Sequence, residues 1–342
     1  MTIRRGAFSG AMTLVAAILA VAMFGTNSAS AEVSELRIAR QPGLAYLPLQ
    51  VMERERLLEK HAEAAGLKGV KTKWVTFAGG NVMNDALLSG SLDIASGGVA
   101  PLITLWAKSN GRVRAISSQS TSEIYINTRN PNVKSIKDFT DADRIAMPAV
   151  KVSVNAIVLQ MAAEQEFGKG NAYKLDPLTV ARSYAEGSAA LLSGIGEINS
   201  AASALPFYAR EIKTPGIHTV LKSYDVLGGP ATNNLIWTTQ KFHDENPKTY
   251  AAFLAAYKEA IDLINNDPTK AAQIYRDADS TKAYSIEELV AMLTDKKVLE
   301  YTVVPHNVTK YTDFMFRMGV IPRKPDSWKD LFFPEIHSLQ GS

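Results

Sequence analysis

Apolar and polar positions follow two alternating periods in the first third of the chain. Strand-like apolar runs are predicted at Leu36–Ala39, Val70–Phe77 and Leu92–Ala95. Helical spacing or helix signals are found at Leu47–Ala65, Val82–Leu88 and from about Pro101 onward. The order strand, helix, strand, helix, strand is typical of a parallel α/β sheet.

The same order recurs later in the chain. Strands are predicted at Arg144–Met147 and Leu178–Val180, and helices at Val154–Phe167 and Ser183–Leu192. Two segments connect the halves, Val113–Thr128 on the way out and Thr219–Leu227 with Gly228-Gly229-Pro230 on the way back. A discontinuous arrangement follows, in which residues 32–121 and 229–342 form a first lobe and residues 122–228 a second.

One stretch occurs once in each half. Residues 86–100 align without a gap to residues 190–204, with eight of fifteen positions identical. Both copies contain Ala-Leu-Leu-Ser-Gly, and Asp93 aligns with Glu197. Two copies are too few for a solenoid. The stretch is predicted to end the second helix of each lobe and to form its third strand, and the aligned acids are interpreted as structural.

The last third of the chain is predicted to be helical. Asn246-Pro247 is a good helix start, and Ser285 with Glu288 forms a capping box. An apolar stripe follows the first start, at Tyr250, Phe253, Leu254, Tyr257, Ile261 and Ile264. We expect these helices to cover the first lobe. Bending between the lobes is expected near Ser118–Ser122 and near Gly228-Gly229.

Composition places the chain among soluble globular proteins. It has 342 residues, 46% hydrophobic and 21% charged, with a net charge of +3 and no cysteine. No run of Lys or Arg suits a nucleic-acid surface. Residues 1–31 have the three parts of a secretory signal, with cleavage expected after Ala31 and export to the periplasm. Arg4-Arg5 leaves the choice between the general and the twin-arginine export route open.

Catalytic and metal motifs are not found in the sequence. The five histidines are scattered, and neither a nucleophile elbow nor a phosphate-binding loop of the Walker type is present. Gly194-Ile195-Gly196 begins a dinucleotide fingerprint, but Asn199 stands where its last glycine should be. The sequence therefore predicts no enzyme activity, no cofactor and no metal site.

Loops at the carboxyl ends of the strands are the candidate binding site. Ligands sit beyond these ends in parallel α/β sheets, and small residues leave backbone N–H groups open to a bound molecule. The candidate residues are Gln41, Pro42, Gly43, Tyr46, Phe77, Gly79, Gly80, Asn81, Gly97, Gly98, Val99, Ser120, Lys151, Ser153, Arg182 and Tyr184. Arg182, and after it Lys151, is expected to pair with a sulfonate or carboxylate. The closer backbone approach to the solute is expected from the first lobe.

The sequence resembles the substrate-binding proteins of ABC importers in the nitrate, taurine and alkanesulfonate group, which also contains binders of thiamine precursors. The motifs that carry the resemblance are Arg40-Gln41-Pro42-Gly43, Phe77-Ala78-Gly79-Gly80, Ala86–Ala95, Ile136-Lys137-Asp138-Phe139 and Phe242–Phe253. It implies the type II periplasmic-binding-protein fold, with two lobes of mostly parallel sheet and two hinge crossings. The lobes would close on a solute, and the partners would be a membrane permease and its cytoplasmic ATPase.

The resemblance leaves alternatives open. A monomeric carrier of a small organic anion is the leading hypothesis, and a thiamine-type pyrimidine or another uncharged or aromatic solute is the alternative. Residues 148–153 lack the Ser- and Gly-rich run of many relatives, so the solute class does not carry over. Pyrimidine synthases resemble these proteins, but they use a cysteine cluster that this chain lacks. A sensor that reports solute to a membrane kinase is a further alternative.

Overall fold

A computed structural model describes residues 1–2, 32–77, 79–279 and 281–342. The predicted signal peptide lies almost entirely outside these residues. The strands are β1 (Glu35–Arg40), β2 (Lys71–Thr76), β3 (Ala95–Gly98), β4 (Val113–Ser122), β5 (Tyr125–Thr128), β6 (Ile145–Met147), β7 (Thr179–Ala181), β8 (Ser200–Ser203), β9 (His218–Lys222), β10 (Thr232–Thr239) and β11 (Leu299–Tyr301).

Helices separate most of the strands. They are α1 (Leu47–Glu55), α2 (Leu57–Ala64), α3 (Gly80–Leu88), α4 (Val99–Lys108), α5 (Val154–Phe167), α6 (Tyr184–Ser193), α7 (Phe207–Glu211), α8 (Ser223–Leu227), α9 (Gln240–Glu245), α10 (Pro247–Asn266), α11 (Pro268–Ala278), α12 (Ile286–Thr294) and α13 (Val308–Arg317). Within the described residues, no helix is both long and apolar enough to cross a membrane.

Parallel and antiparallel pairs are mixed in the sheets. In the first lobe β1 pairs with β2 in parallel, and a parallel bridge joins Ile38 to Ile94. A neighbouring antiparallel sheet has the order β11-β4-β10-β3. In the second lobe the order is β7-β6-β8-β5-β9, with β7, β6 and β8 parallel and β5 antiparallel to both of its neighbours. The α/β fold class is therefore confirmed. The expectation of mostly parallel sheets was wrong, because β4, β5 and β10, which lie beside the connections between the lobes, pair with their neighbours in the antiparallel direction.

Three predicted elements differ from the structure. The third strand of the first lobe is Ala95–Gly98, three residues later than predicted, because β10 supplies an antiparallel partner more than 130 residues further along the chain. Ser200–Ser203 of the second copy is likewise strand rather than loop. The helix predicted at Leu47–Ala65 is broken at Arg56, whose left-handed φ of 53° redirects the chain.

The chain passes between the sheets at Glu123-Ile124 and again between β9 and β10. The expected bending segment Ser118–Ser122 is instead the end of β4 and is fully buried there. Gly228 and Gly229 do lie in the return connection, with φ values of 71° and 132°. The lobe bounds at residues 121/122 and 228/229 stay a prediction, and they fall close to these two connections.

The predicted helical stripe is part of the core of the first lobe. All six of its apolar residues are buried on α10, which packs against α1 and α2. Ser285 and Glu288 form the expected capping box at the start of α12.

Candidate functional site

A small cavity lies between the two lobes, with a volume of about 30 Å³. Residues from both lobes line it: Gln41, Tyr46, Gly79, Gly80, Asn81, Gly98, Pro101 and Asn234 from the first lobe, and Pro148, Ala149, Ser153, Val154, Asn155 and Tyr184 from the second. The lining contains eight of the residues that the sequence predicted.

Four helices begin at this cavity. In the first lobe, α3 and α4 follow Gly79 and Gly98, and neither glycine can cap its helix with a side chain. The first backbone N–H groups of both helices are thus open to an acceptor, and the helix dipoles favour negative charge there. In the second lobe, Ser153 caps the N-terminus of α5, and a capping box of Ser183 and Glu186 caps the N-terminus of α6. The open N-termini are therefore both on the first lobe.

Glycines allow the lobes to approach each other closely. A Cβ on Gly98 would lie 3.1 Å from Cγ1 of Val154, which belongs to the second lobe. A Cβ on Gly79 would lie 3.7 Å from the backbone oxygen of Pro148, also across the cleft. Within the first lobe, a Cβ on Gly80 would come within 3.0 Å of Pro101. Side chains at these positions would crowd the cavity.

Two tyrosines, one from each lobe, flank the cavity. The Tyr46 hydroxyl accepts a hydrogen bond of 2.7 Å from Nδ2 of Asn234. The Tyr184 hydroxyl donates to Oδ1 of Asn155 at 3.0 Å. Burial raises the pKa of Tyr46 well above its ordinary value and that of Tyr184 to about 12. Both phenols are therefore neutral at physiological pH.

Two amide atoms beside these tyrosines have no partner among the described residues. Asn155 is 2% exposed and its Nδ2 makes no hydrogen bond, while Asn234 is 5% exposed and its Oδ1 makes none. Buried polar atoms are normally paired, so the free donor and the free acceptor at this cavity make it the candidate binding site. The site thus offers one amide donor, one amide acceptor and two open helix N-termini.

Among the described residues, no charged side chain belongs to the lining of this cavity. Arg182 is exposed, and its Nη1 donates to the backbone oxygen of Ala181 at 2.7 Å. Lys151 is also exposed, and its backbone is left-handed, with a φ of 65°. These positions place both cations outside the cavity and do not support the predicted ion pair with a solute. Tyr184, the first residue of α6, lines the cavity instead.

The remaining predicted residues lie around the cavity or behind it. Pro42 and Gly43 line a larger outer cleft of about 480 Å³, which also contains Arg40 and Arg210 and shares Gln41 with the cavity. Four other residues are outside the lining: Phe77, Gly97, Val99 and Ser120. Gly97 supports the site indirectly, because a Cβ there would lie only 2.9 Å from Nε2 of Gln41. Ser120 is buried within β4, and its hydroxyl is unpaired among the described residues.

Sequence reasoning missed both asparagines. Asn155 is the second residue of α5, and Asn234 lies within β10. Local patterns favoured loop residues, whereas these two reach the cavity from inside regular elements. A signal existed for Asn234, since an amide inside an apolar strand needs a specific partner. Pro101, Pro148, Ala149 and Val154 were also missed.

The acidic residues of the repeated stretch have structural surroundings. Asp93 accepts hydrogen bonds from Nε and the backbone N of Arg37 at 2.9 Å and 2.8 Å, and Glu197 is exposed.

Within the part of the chain that the structure describes, no group of three or more His, Asp or Glu side chains could hold a metal ion. The polar groups at the cavity are suited to binding a neutral or anionic molecule.

Comparisons with known proteins agree with this architecture. Residues 108–271 match the family model described as NMT1/THI5 like. A Brachyspira hyodysenteriae protein, catalogued under the name of an ABC transporter periplasmic binding protein, is 25% identical over 261 residues, covering 72% of this chain and 70% of its own.

Solved structures share the fold at lower identity. The aliphatic sulphonate binding protein SsuA of Escherichia coli has a TM-score of 0.64 at 20% identity, covering 88% of this chain and 92% of its own. The nitrate-binding protein NrtA of Synechocystis has a TM-score of 0.66 at 15% identity, covering 87% and 84%. The chain therefore has the periplasmic-binding-protein fold, and its central region is similar to the NMT1/THI5-like family model.

Proposed function

We propose that the chain is the periplasmic solute-binding component of an ABC importer. The observation that carries the proposal is the cavity between the lobes, where Asn155 Nδ2 and Asn234 Oδ1 are buried without partners. The protein binds its solute there as a monomer, closes through the two connections and delivers the solute unchanged to a membrane permease with its ATPase. The names of the B. hyodysenteriae relative and of the structural neighbours support this role.

The proposed solute is a small organic molecule with a sulfonate or carboxylate group. Its acidic group lies against the open N-termini of α3 and α4, and Nδ2 of Asn155 donates to it. A micromolar dissociation constant requires about 8 kcal/mol. Each helix N-terminus contributes roughly 0.3–1 kcal/mol, or up to about 2 when partly buried. The amides and the tyrosine walls supply the rest, in the absence of a cation in the lining.

The outer cleft extends the proposed site. The inner cavity of about 30 Å³ is enough for a few atoms, while the adjoining cleft of about 480 Å³ has room for the rest of an organic solute. Phe207 and Tyr284 give this cleft an aromatic wall. Arg210 adds an exposed cation at its mouth.

A second candidate solute is an uncharged heterocycle of the thiamine-type pyrimidine kind. The specific observation in its favour is that the cavity has one free amide donor and one free amide acceptor. The described lining has no charged side chain. An aminopyrimidine presents an acceptor nitrogen beside an amino donor, which complements this pair. Tyr46 and Tyr184 would provide the apolar walls.

A thermal-shift screen distinguishes the two solutes. Taurine, longer alkanesulfonates, nitrate, aromatic carboxylates and thiamine precursors are each added to the purified protein. A solute that binds the native state raises the melting temperature by mass action. The anion proposal predicts shifts with sulfonates or carboxylates, and shifts with thiamine precursors alone would favour the second candidate. A response to cations only would contradict both.

Asn155→Asp tests where the solute lies. A carboxylate in place of the amide donor repels an acidic group, so affinity for an anionic solute should fall at least about tenfold. Asn132→Asp is the matched control, because it adds the same charge at an exposed position of the second lobe. Equal affinity in both variants, measured by calorimetry, would show that the solute binds outside this cavity.

A further inference from the structure

A second polar pocket lies on the first lobe, away from the cavity between the lobes. Its volume is about 340 Å³, and it is formed where the end of α4 meets the C-terminal segment. Four cationic side chains line it, Arg114, Arg323, Lys324 and Lys329, against two acidic ones, Asp326 and Asp330. None of these residues takes part in the site proposed above. We call this the Arg114–Arg323 pocket.

Each of the two guanidinium groups has one contact that restrains it and leaves its outer nitrogens free to bind an acceptor. Arg323 lies over the ring of Trp106, with Cζ 4.3 Å from the ring centroid. Nε of Arg114 donates to the backbone oxygen of Gly111 at 3.0 Å. Gly111 also gives Arg323 room, because a Cβ there would lie 3.1 Å from Nη2. The guanidinium groups are thus ordered without an ion pair.

An unpaired buried donor marks the same pocket. Nε of Arg323 is buried and has no hydrogen-bond partner among the described residues. The described residues also provide no ion pair for Arg114, Arg323 or Lys329 within 4.0 Å. A buried donor on a cation is costly when unpaired. The two outer nitrogens of the same guanidinium are not buried in this way, so they are the donors that an acceptor in the pocket would reach.

One of the two acidic side chains in the lining, Asp330, is hydrogen-bonded within the chain. Oδ2 of Asp330 accepts hydrogen bonds from the backbone N of Asp326 and of Ser327, at 2.8 Å and 3.1 Å. Lys324 is paired with Asp313 at 2.7 Å. His337 faces the backbone oxygens of Lys329 and Phe332, so it adds no negative charge. Arg114, Arg323 and Lys329 therefore outnumber the lining carboxylates Asp326 and Asp330. Asp244, outside the lining, is a further carboxylate that interacts electrostatically with Arg114.

We propose that the Arg114–Arg323 pocket binds a phosphate-type oxyanion. Two guanidinium groups offer paired N–H donors that match the oxygens of such an anion, and Lys329 adds a third charge. The volume of about 340 Å³ accommodates a phosphate with a small organic substituent. The proposed ligand is a free anion rather than a lipid headgroup, because the apolar residues of the described lining, Trp106 and Pro325, are buried and offer little surface to acyl chains.

Calorimetric titration of the full chain with inorganic phosphate tests the proposal, at constant ionic strength maintained with chloride. Saturable binding is expected, and it should weaken at least about tenfold in Arg323→Gln and in Arg114→Gln, because each loses charge-assisted hydrogen bonds. Arg54→Gln is the matched control, an exposed arginine of α1 without an ion pair in the described residues, and it should bind as the parent does. Phosphate binding that is absent, or equal in all variants, would overturn the proposal.

Two further measurements keep the test decisive. If Arg323→Gln loses its native circular dichroism, Arg323→Lys retains the charge over Trp106 but not the fork, and it should bind phosphate more weakly than the parent. Vesicles that contain phosphatidylglycerol are tested in parallel by sedimentation. Binding to vesicles without a response to inorganic phosphate would identify a lipid headgroup and overturn the free-anion proposal.

Discussion

The Tyr46 hydroxyl and Nδ2 of Asn234 are 2.7 Å apart, and this hydrogen bond fixes the orientation of the Asn234 amide. Because Nδ2 is used by Tyr46, Oδ1 is the atom left free beside the cavity. The first helical turn after β1 and the central strand β10 are thus joined at the proposed site. In the proposed site, Oδ1 of Asn234 is therefore the atom that would accept a hydrogen bond from the solute.

Loss of this hydrogen bond should lower both stability and solute affinity. Asn234→Ala leaves the buried Tyr46 hydroxyl unpaired, which should cost about 1–3 kcal/mol in the free energy of unfolding. Denaturant titration measures the stability, and calorimetry measures the affinity. Tyr46→Phe is the partner variant. If the cost of the double variant equals the sum of the single costs, the two residues are not coupled and the hydrogen bond is not the cause.

Gly98→Ala should weaken solute binding by hindering the approach of the lobes. The added Cβ would lie 3.1 Å from Cγ1 of Val154 across the cleft, and Gly98 has an ordinary φ of −64°. Backbone strain is therefore not the cause of any loss. Val154→Ala removes the opposing methyl groups, so the double variant should regain affinity. Failure of Val154→Ala to restore any binding would argue against contact between the lobes at this point.

Asp93→Asn should destabilise the fold, whereas the aligned change Glu197→Gln should not. Asp93 binds Arg37 through both carboxylate oxygens, with Oδ1 2.6 Å from Nη2, so the loss is expected at about 1–3 kcal/mol. Glu197 is exposed, and its substitution should stay within about 0.5 kcal/mol. Denaturant curves compare the two. Equal effects would contradict the distinction between the two copies.

Glu123 should make stability depend on pH at the first connection between the lobes. It is 7% exposed, and burial raises its pKa despite hydrogen bonds from the Tyr125 hydroxyl, at 2.5 Å, and the backbone of Tyr224. A raised carboxyl pKa favours the folded state at low pH. This contribution is complete below the pKa of the unfolded chain and is lost as pH rises through the folded value.

Glu123→Gln removes this titration and keeps an acceptor oxygen for Tyr125. The variant should therefore gain stability relative to the parent between mildly acidic and neutral pH. Lys222, which favours the charged form, and Asp225, which opposes it, remain in both proteins. Unfolding measured at several pH values checks the difference. A constant difference between parent and variant across this range would exclude the titration of Glu123 as its source.

Particular residues show why only part of the site could be predicted. Gly79, Gly80 and Gly98 were found because small residues before a helix are a local signal, and the structure places all three in the cavity lining. Arg182 was chosen from its position after a strand, but the direction of its side chain depends on how α6 packs. Asn155 and Asn234 carry no loop signal, since they lie inside α5 and β10.

The sequence by itself determined the order of strands and helices, the repeated helix-to-strand stretch and the glycines that begin helices at the cavity. These features depend on periodicity, capping and backbone freedom, which act over a few residues. Only the tertiary structure decided that β3 continues to Gly98, where it pairs with β10, and that the chain passes between the lobes at Glu123-Ile124. It also decided that amide side chains and no cations are among the described residues that line the cavity. These depend on strand pairing and side-chain packing between segments far apart in the chain, and no local pattern records them.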